Sequence, residues 1–184
     1  QRPRAVGHLI DDAFRKVVPS LSRRAIRYDP AKSTATVTRA RTAASKRGLQ
    51  IEARPVTLPA DVPDAFRSAA AAADGLWLVP DSTVVSRESF DFIMRESVER
   101  RLPVMVFSEP MVRAGGLVCV AADNGDIGRQ VGDMLRRILK RRGQPLPPVE
   151  PPRAPRIVLN LKTAVALSLK VPDEAIAKAR QVYR

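Results

Sequence analysis

Cysteine and histidine are nearly missing from this 184-residue chain, which has one of each, Cys119 and His8. A single cysteine forms no internal disulfide, and inside the apolar run LVCVAA it reads as a small buried hydrophobe. A Ser-His-Asp triad or a histidine metal site would have to use His8. No GxSxG or HExxH surrounds it, so it reads as a surface or packing histidine. ADNGDIG lacks the later glutamate of an EF-hand, GDIGRQVG has the wrong glycine spacing for a dinucleotide turn, and no P-loop occurs. These absences point away from an enzyme: no catalytic residue, metal or cofactor is expected.

Aromatic residues are 4% of the chain, too few for base-stacking platforms. Acidic side chains are the minority, nineteen against thirty-two Lys and Arg, for a net charge of +13. Such a balance invites a nucleic-acid reading. The basic residues, however, are spread through RAIR, RAR, ERR and RRILKRR, which read as a solvated surface, and no zinc spacing or RNA-recognition motif accompanies them. No nucleic-acid partner is expected. No apolar run approaches the roughly 18 residues of a membrane span; the longest candidate, 69–80, is broken by Asp74 and Gly75, and the chain reads as soluble. Its 45% hydrophobic content is that of a globular core. Gln1 suits a chain released from a signal peptide, or one trimmed at that point.

What is present is alternation. Arg24 to Tyr28 reads as a strand, followed by the turn Asp29-Pro30 and a helix to Arg47 that Ser33 or Thr34 can cap and Gly48 stops. Leu49 to Val56 alternates as a strand, with Pro55 demoting its end, and an alanine-rich helix covers 64–73. LWLV is a continuous apolar run typical of a central strand. Ser86 opens a helix with Phe90, Ile93, Met94 and Val98 on one stripe. Pro103 to Phe107 and Gly116 to Ala121 are further strands, and a long helix runs from Asp126 to Gly143 with Ile127, Val131, Met134, Leu135, Ile138 and Leu139. The repeating βα unit predicts an α/β fold: one Rossmann-like, doubly wound parallel sheet with a C-terminal crossover segment. Four regions follow: an N-terminal helical segment (1–22, its helix near 12–18), the lobe (23–143), a proline-rich connection (144–156) expected to run extended over the surface, and a strand–helix crossover (157–184).

In an open α/β sheet, ligands bind beyond the carboxyl ends of the strands, where helix N-termini supply free amides. Four loops fall there and carry Tyr28, Asp29, Ser33 and Thr34; Asp81, Ser82 and Thr83; Ser108 and Glu109; and Asp123. Together they suit a small zwitterion, with Ser33 and Thr34 taking a carboxylate and Asp81, Ser82 and Thr83 an amino group or hydroxyl. Taken singly, Asp29, Ser33, Thr34, Ser82 and Asp123 are equally the residues that cap helices and make turns.

From DGLWLVPDS onward the sequence resembles the C-terminal part of bacterial ABC transporter substrate-binding proteins, in the group whose better-known members take up tryptophan or tyrosine. The features that carry this are Leu159-Asn160-Leu161, Thr163-Ala164, Leu169, Val171-Pro172 and Ala179, with RAIRYDPAKS matching upstream. The resemblance implies a periplasmic-binding-protein-like lobe and a periplasmic or membrane-tethered binding protein that closes two lobes on a small ligand and serves a membrane permease. It begins at the second lobe, and around Asn124-Gly125 the tyrosine common in the group is absent. The alternative is a single-lobe accessory protein of the cell envelope that binds a protein partner. The ending IVLNLKTAVALSLKVPDEAI is expected to fold back on this domain or to bury against another subunit, making it the surface for a homo-oligomer.

Overall fold

The computed structural model describes residues 6–140, 150, 152, 153 and 155–184, with side chains from Ile10 onward. The reading of His8 and most of the proline-rich connection therefore lie outside the described residues. In chain order the elements are α1 (Val6–Val17), β1 (Arg23–Tyr28), α2 (Pro30–Ser45), β2 (Gln50–Pro55), α3 (Val62–Ala72), β3 (Gly75–Trp77), α4 (Arg87–Glu99), β4 (Val104–Met105), α5 (Glu109–Arg113), β5 (Val118–Ala122), α6 (Asn124–Lys140), β6 (Pro155–Asn160), α7 (Leu161–Ala166), α8 (Asp173–Lys178) and β7 (Gln181–Tyr183).

The seven strands form one sheet in the order β2-β1-β3-β4-β5-β6-β7. All neighbours are parallel except β5 and β6, which run antiparallel from Val118 opposite Leu159 to Ala122 opposite Pro155. The sheet is parallel-dominated as expected, with one antiparallel junction that sets Pro155 at the start of β6 beside Ala122 at the end of β5. Pro55 is tolerated within β2 because that strand is the sheet edge, where a missing amide breaks no inner ladder.

Both faces are covered. On the front, Phe14 and Val17 of α1, Val37 and Ala40 of α2, Ala164 of α7 and Ala175 of α8 pack with Ile26, Trp77, Met105 and Leu159. On the rear, Phe66 and Ala69 of α3, Phe90 and Ile93 of α4 and Val112 of α5 pack with Ala25, Leu76, Val104 and Cys119. Gly75 has a reason to be glycine: a Cβ there would meet Leu21 and Phe14 within 3 Å.

Several local expectations are corrected. The N-terminal helix starts at Val6 and is a full part of the front core. The cap of α2 is Asp29, whose side chain accepts the Ala31 amide, with Pro30 favourably placed just inside the helix; Ser33 and Thr34 lie one turn in. Ser86 does cap α4, through a reciprocal pair with Ser89. Val98 is exposed on α4, and the buried position on that turn is Ser97, whose hydroxyl bonds the Met94 carbonyl. The closing segment folds back on its own domain, with Val158, Leu159, Ala164, Leu167, Val171 and Ala175 all buried.

The arginines of RAIR are not solvated. Arg27 is buried on the rear face, bonding the Ala65 carbonyl at 2.8 Å and Glu52 at 2.5 Å. Arg24 is buried on the front, 2.5 Å from Asp11 of α1 and stacked 4.9 Å from the Trp77 ring centroid. Burial pushes the Asp11 carboxyl up and the Arg24 guanidinium down, while their mutual attraction opposes both shifts. This pair ties α1 to β1. Asp11→Ala leaves a buried guanidinium uncompensated and is expected to cost about 3–5 kcal/mol in urea unfolding, whereas the double change Asp11→Leu/Arg24→Met restores most of it. A loss below about 1 kcal/mol in the single variant would show that the pair fixes nothing.

Candidate functional site

The strand ends converge where β1, β3, β4 and β5 exit toward α2, α4, α5 and α6. Between the first two loops lies a carboxylate network. Asp81 Oδ2 accepts the Asp29 amide at 2.8 Å and the Ser33 hydroxyl at 2.6 Å, and its Oδ1 accepts the Thr83 amide at 3.0 Å. Asp29 in turn accepts the Thr83 hydroxyl at 2.7 Å. Lys32 closes the cluster, its ammonium donating to Ser82 Oγ at 2.9 Å and Thr83 Oγ1 at 2.7 Å.

This geometry sorts the residues expected at the site. Asp29, Ser33, Asp81 and Thr83 are buried, and their polar atoms are engaged with one another. Thr34 donates to the Pro30 carbonyl, and Tyr28 is half-buried against the front core. Ser82 remains exposed at the surface. On the other side, Ser108 precedes α5 without a side-chain cap hydrogen bond. Glu109 accepts the Tyr183 hydroxyl at 3.0 Å, and Asp123 accepts the Asp126 amide at 2.9 Å with Arg156 3.7 Å away.

Three hollows meet at this edge, and Phe107, at the end of β4, lines all of them. One of about 360 Å³ is formed with Lys32, Pro80, Asp81, Ser82 and Val85. A second of about 420 Å³ gathers Ser108, Glu109, Arg113, Asn124, Arg156 and Tyr183. A third, about 670 Å³ and mainly apolar, runs between α1 and α2 over Trp77, Met105 and Val120, with Arg39 and Lys46 at its border. Lys32 and Phe107 fall in two of the strand-end loops but not among the expected site residues, and Arg156 and Tyr183 fall outside those loops. Phe107 was readable as the last residue of a strand run, and Lys32 as part of the DPAKS turn. Arg156 and Tyr183 come from the far end of the chain: the antiparallel register of β6 sets Arg156 beside Ala121, and Tyr183 of β7 reaches Glu109 with its hydroxyl.

Among the described residues no group of three or more His, Cys, Asp or Glu side chains could hold a metal, and no helix is long and apolar enough to cross a membrane.

The ABC transporter substrate binding protein family matches residues 9–183. The chain belongs to that family. No curated protein sequence matches it. Among solved structures, the ABC domain in complex with L-Trp from Streptococcus pneumoniae superposes with a TM-score of 0.75 at 22% identity, covering 96% of this chain and 60% of that one. A conserved domain protein from Vibrio cholerae gives 0.76 at 19%, covering 98% and 61%. A ligand-free, open substrate binding protein with adhesive properties from Clostridium difficile gives 0.74 at 20%, covering 94% and 58%. The fold is theirs, and this chain spans about three fifths of their length.

The network also predicts a response to acid. The Thr83 hydroxyl, then the Ala31 amide, hold the Asp29 carboxyl below its ordinary value. A depressed folded value contributes stability above the unfolded value of about 3.9, lost as pH falls through the lower folded one. Urea midpoints from pH 7 to 2 should therefore drop below about pH 4. Thr83→Val should lower stability at pH 7 by about 1–3 kcal/mol and flatten that drop. An unchanged acid slope in Thr83→Val would remove Asp29 as its source.

Proposed function

We propose that the chain is a solute-binding component of an ABC uptake system, taking an amino-acid-like or small organic solute at the strand-end edge. It works without catalysis, outside the cytoplasmic membrane in the periplasm, and hands its solute to a permease. The observation that carries this reading is the placement of Phe107. A partly exposed ring stands between an exposed ammonium, Lys32, and a polar hollow holding Glu109, Arg113 and Arg156. A flat apolar surface flanked by groups of both signs suits a solute with an apolar body and a charged head. The carboxylate role expected of Ser33 and Thr34 passes to Lys32, whose side chain is 46% exposed. Ser82 keeps its place beside it, with Ser108 and Glu109 opposite.

A second reading is favoured by one specific observation, a long exposed apolar helix face: the chain is an envelope protein that docks on a protein partner. Thermal-shift and calorimetric screening with amino acids and small organic acids distinguishes the two. Under the solute-binding reading at least one compound raises the melting temperature. Lys32→Gln and Phe107→Ala then weaken it roughly tenfold or more, the scale of a lost charge-assisted hydrogen bond or stacking contact. Ser33→Ala lowers stability yet leaves affinity near wild type. A panel with no hit, or hits indifferent to Lys32 and Phe107, would count against this site.

A further inference from the structure

The apolar hollow of about 670 Å³ on the front face lies outside the network of Asp29 and Asp81. Its volume is that of a small-molecule site, for which roughly 300–1,000 Å³ is usual. It is a recess, where a folded partner would need a flat or convex face. The space exists because α2 turns alanine toward it at Ala40 and Ala43, one helical turn apart, where larger side chains would fill it. Ile10 of α1 forms another wall, and Trp77, Met105 and Val120 of the sheet form the floor.

The charged residues along this hollow are of one sign. Arg39 and Lys46 stand two turns apart on the same side of α2, with Ala43 between them, and no Asp or Glu is among the described residues that line it. Neither cation has a carboxylate partner among the described residues. Arg39 donates to Thr36 Oγ1 at 3.3 Å, whereas Arg47, the residue after Lys46, is paired with Asp12. An aliphatic recess edged by two unneutralised cations complements an anion that carries an apolar body. One face of Trp77 is taken by the Arg24 guanidinium, 4.9 Å from the ring centroid. The remaining walls are mostly small or flexible side chains, which follow an alkyl chain more readily than they stack a ring.

These cations are not those of the strand-end edge. A helix rises about 1.5 Å per residue, so Arg39 stands about 10 Å and Lys46 about 21 Å beyond Lys32 along α2. A small solute held at Lys32 does not reach them. We propose that the front hollow is a second site, which takes a single-chain alkyl carboxylate. The chain lies over Trp77, Met105 and Val120, and the carboxylate is held by Arg39 with Lys46 beyond it. The site rests on its own walls and charges, whether or not the edge binds an amino-acid-like solute.

Trp77 is the one tryptophan of the chain, so its emission reports on the hollow directly. Decanoate is titrated into the protein below its micelle threshold and followed by Trp77 emission and by calorimetry. The proposal expects a saturable change in emission and one decanoate per chain. Arg39→Gln should weaken binding roughly tenfold or more, the scale of a lost charge-assisted hydrogen bond, and Lys46→Gln should weaken it in the same direction. Both residues are exposed, so these variants keep the fold. Decanol, which has the chain without the charge, should bind roughly tenfold or more weakly than decanoate. Arg41→Gln removes the same charge from a residue of α2 that bonds the Ala53 carbonyl away from the hollow, and should leave decanoate affinity unchanged. No saturable signal overturns the proposal, as do equal losses from Arg39→Gln and Arg41→Gln, which reduce the effect to net charge. A loss in Lys32→Gln matching that in Arg39→Gln assigns decanoate to the strand-end edge and overturns it. Tighter binding of indole-3-acetate than of decanoate assigns the hollow to aromatic acids and overturns it. A response to phosphatidylglycerol vesicles without one to free decanoate assigns the cations to a lipid surface and also overturns it.

Discussion

Two carboxylates, Asp29 and Asp81, hold the edge on which everything else is arranged. Both sit at the ends of neighbouring strands, where five hydrogen-bond donors from the backbone and hydroxyls of the same two loops converge on them. Each bond is short, and the groups are buried, where an unmade partner is costly. The β1–α2 and β3–α4 loops are therefore one rigid piece. The residues that look most like binding groups in the sequence are the ones consumed in building it.

In the proposed site, recognition falls to what that piece presents outward. Lys32 and Ser82 stand on its surface, and Phe107 rises from the next strand. Beyond Phe107 the polar hollow is completed by Arg156 and Tyr183 from the chain end. A family of substrate-binding proteins needs such an edge and a second wall facing it, because a solute on one open surface is still paired with water.

Much of the fold was legible. The βα alternation, the central run LWLV, the Ser86 cap and the buried Cys119 follow from periodicity and side-chain chemistry that act within a few residues of chain. Two kinds of error share one cause. RAIR was read as surface because arginine usually is, yet Arg24 and Arg27 point to opposite faces of a central strand, each met by a carboxylate from another element. The α6 stripe likewise has helical spacing, yet Val131, Leu135 and Leu139 are exposed. Burial depends on what packs opposite, and spacing along one helix does not contain that.

By itself the sequence determined which segments are strands and helices, that they alternate, that the sheet must be covered on both faces, and that the ends of its strands carry polar loops. These are consequences of local sterics, hydrogen bonding and apolar period. The tertiary structure alone decided that β6 enters antiparallel, that Asp29, Ser33 and Asp81 bond one another, and that Phe107 stands between Lys32 and Arg156. It also folded the closing segment back onto its own domain, the first of its two expected outcomes. Each of these depends on residues some tens of positions apart meeting at one edge, and only packing brings them there.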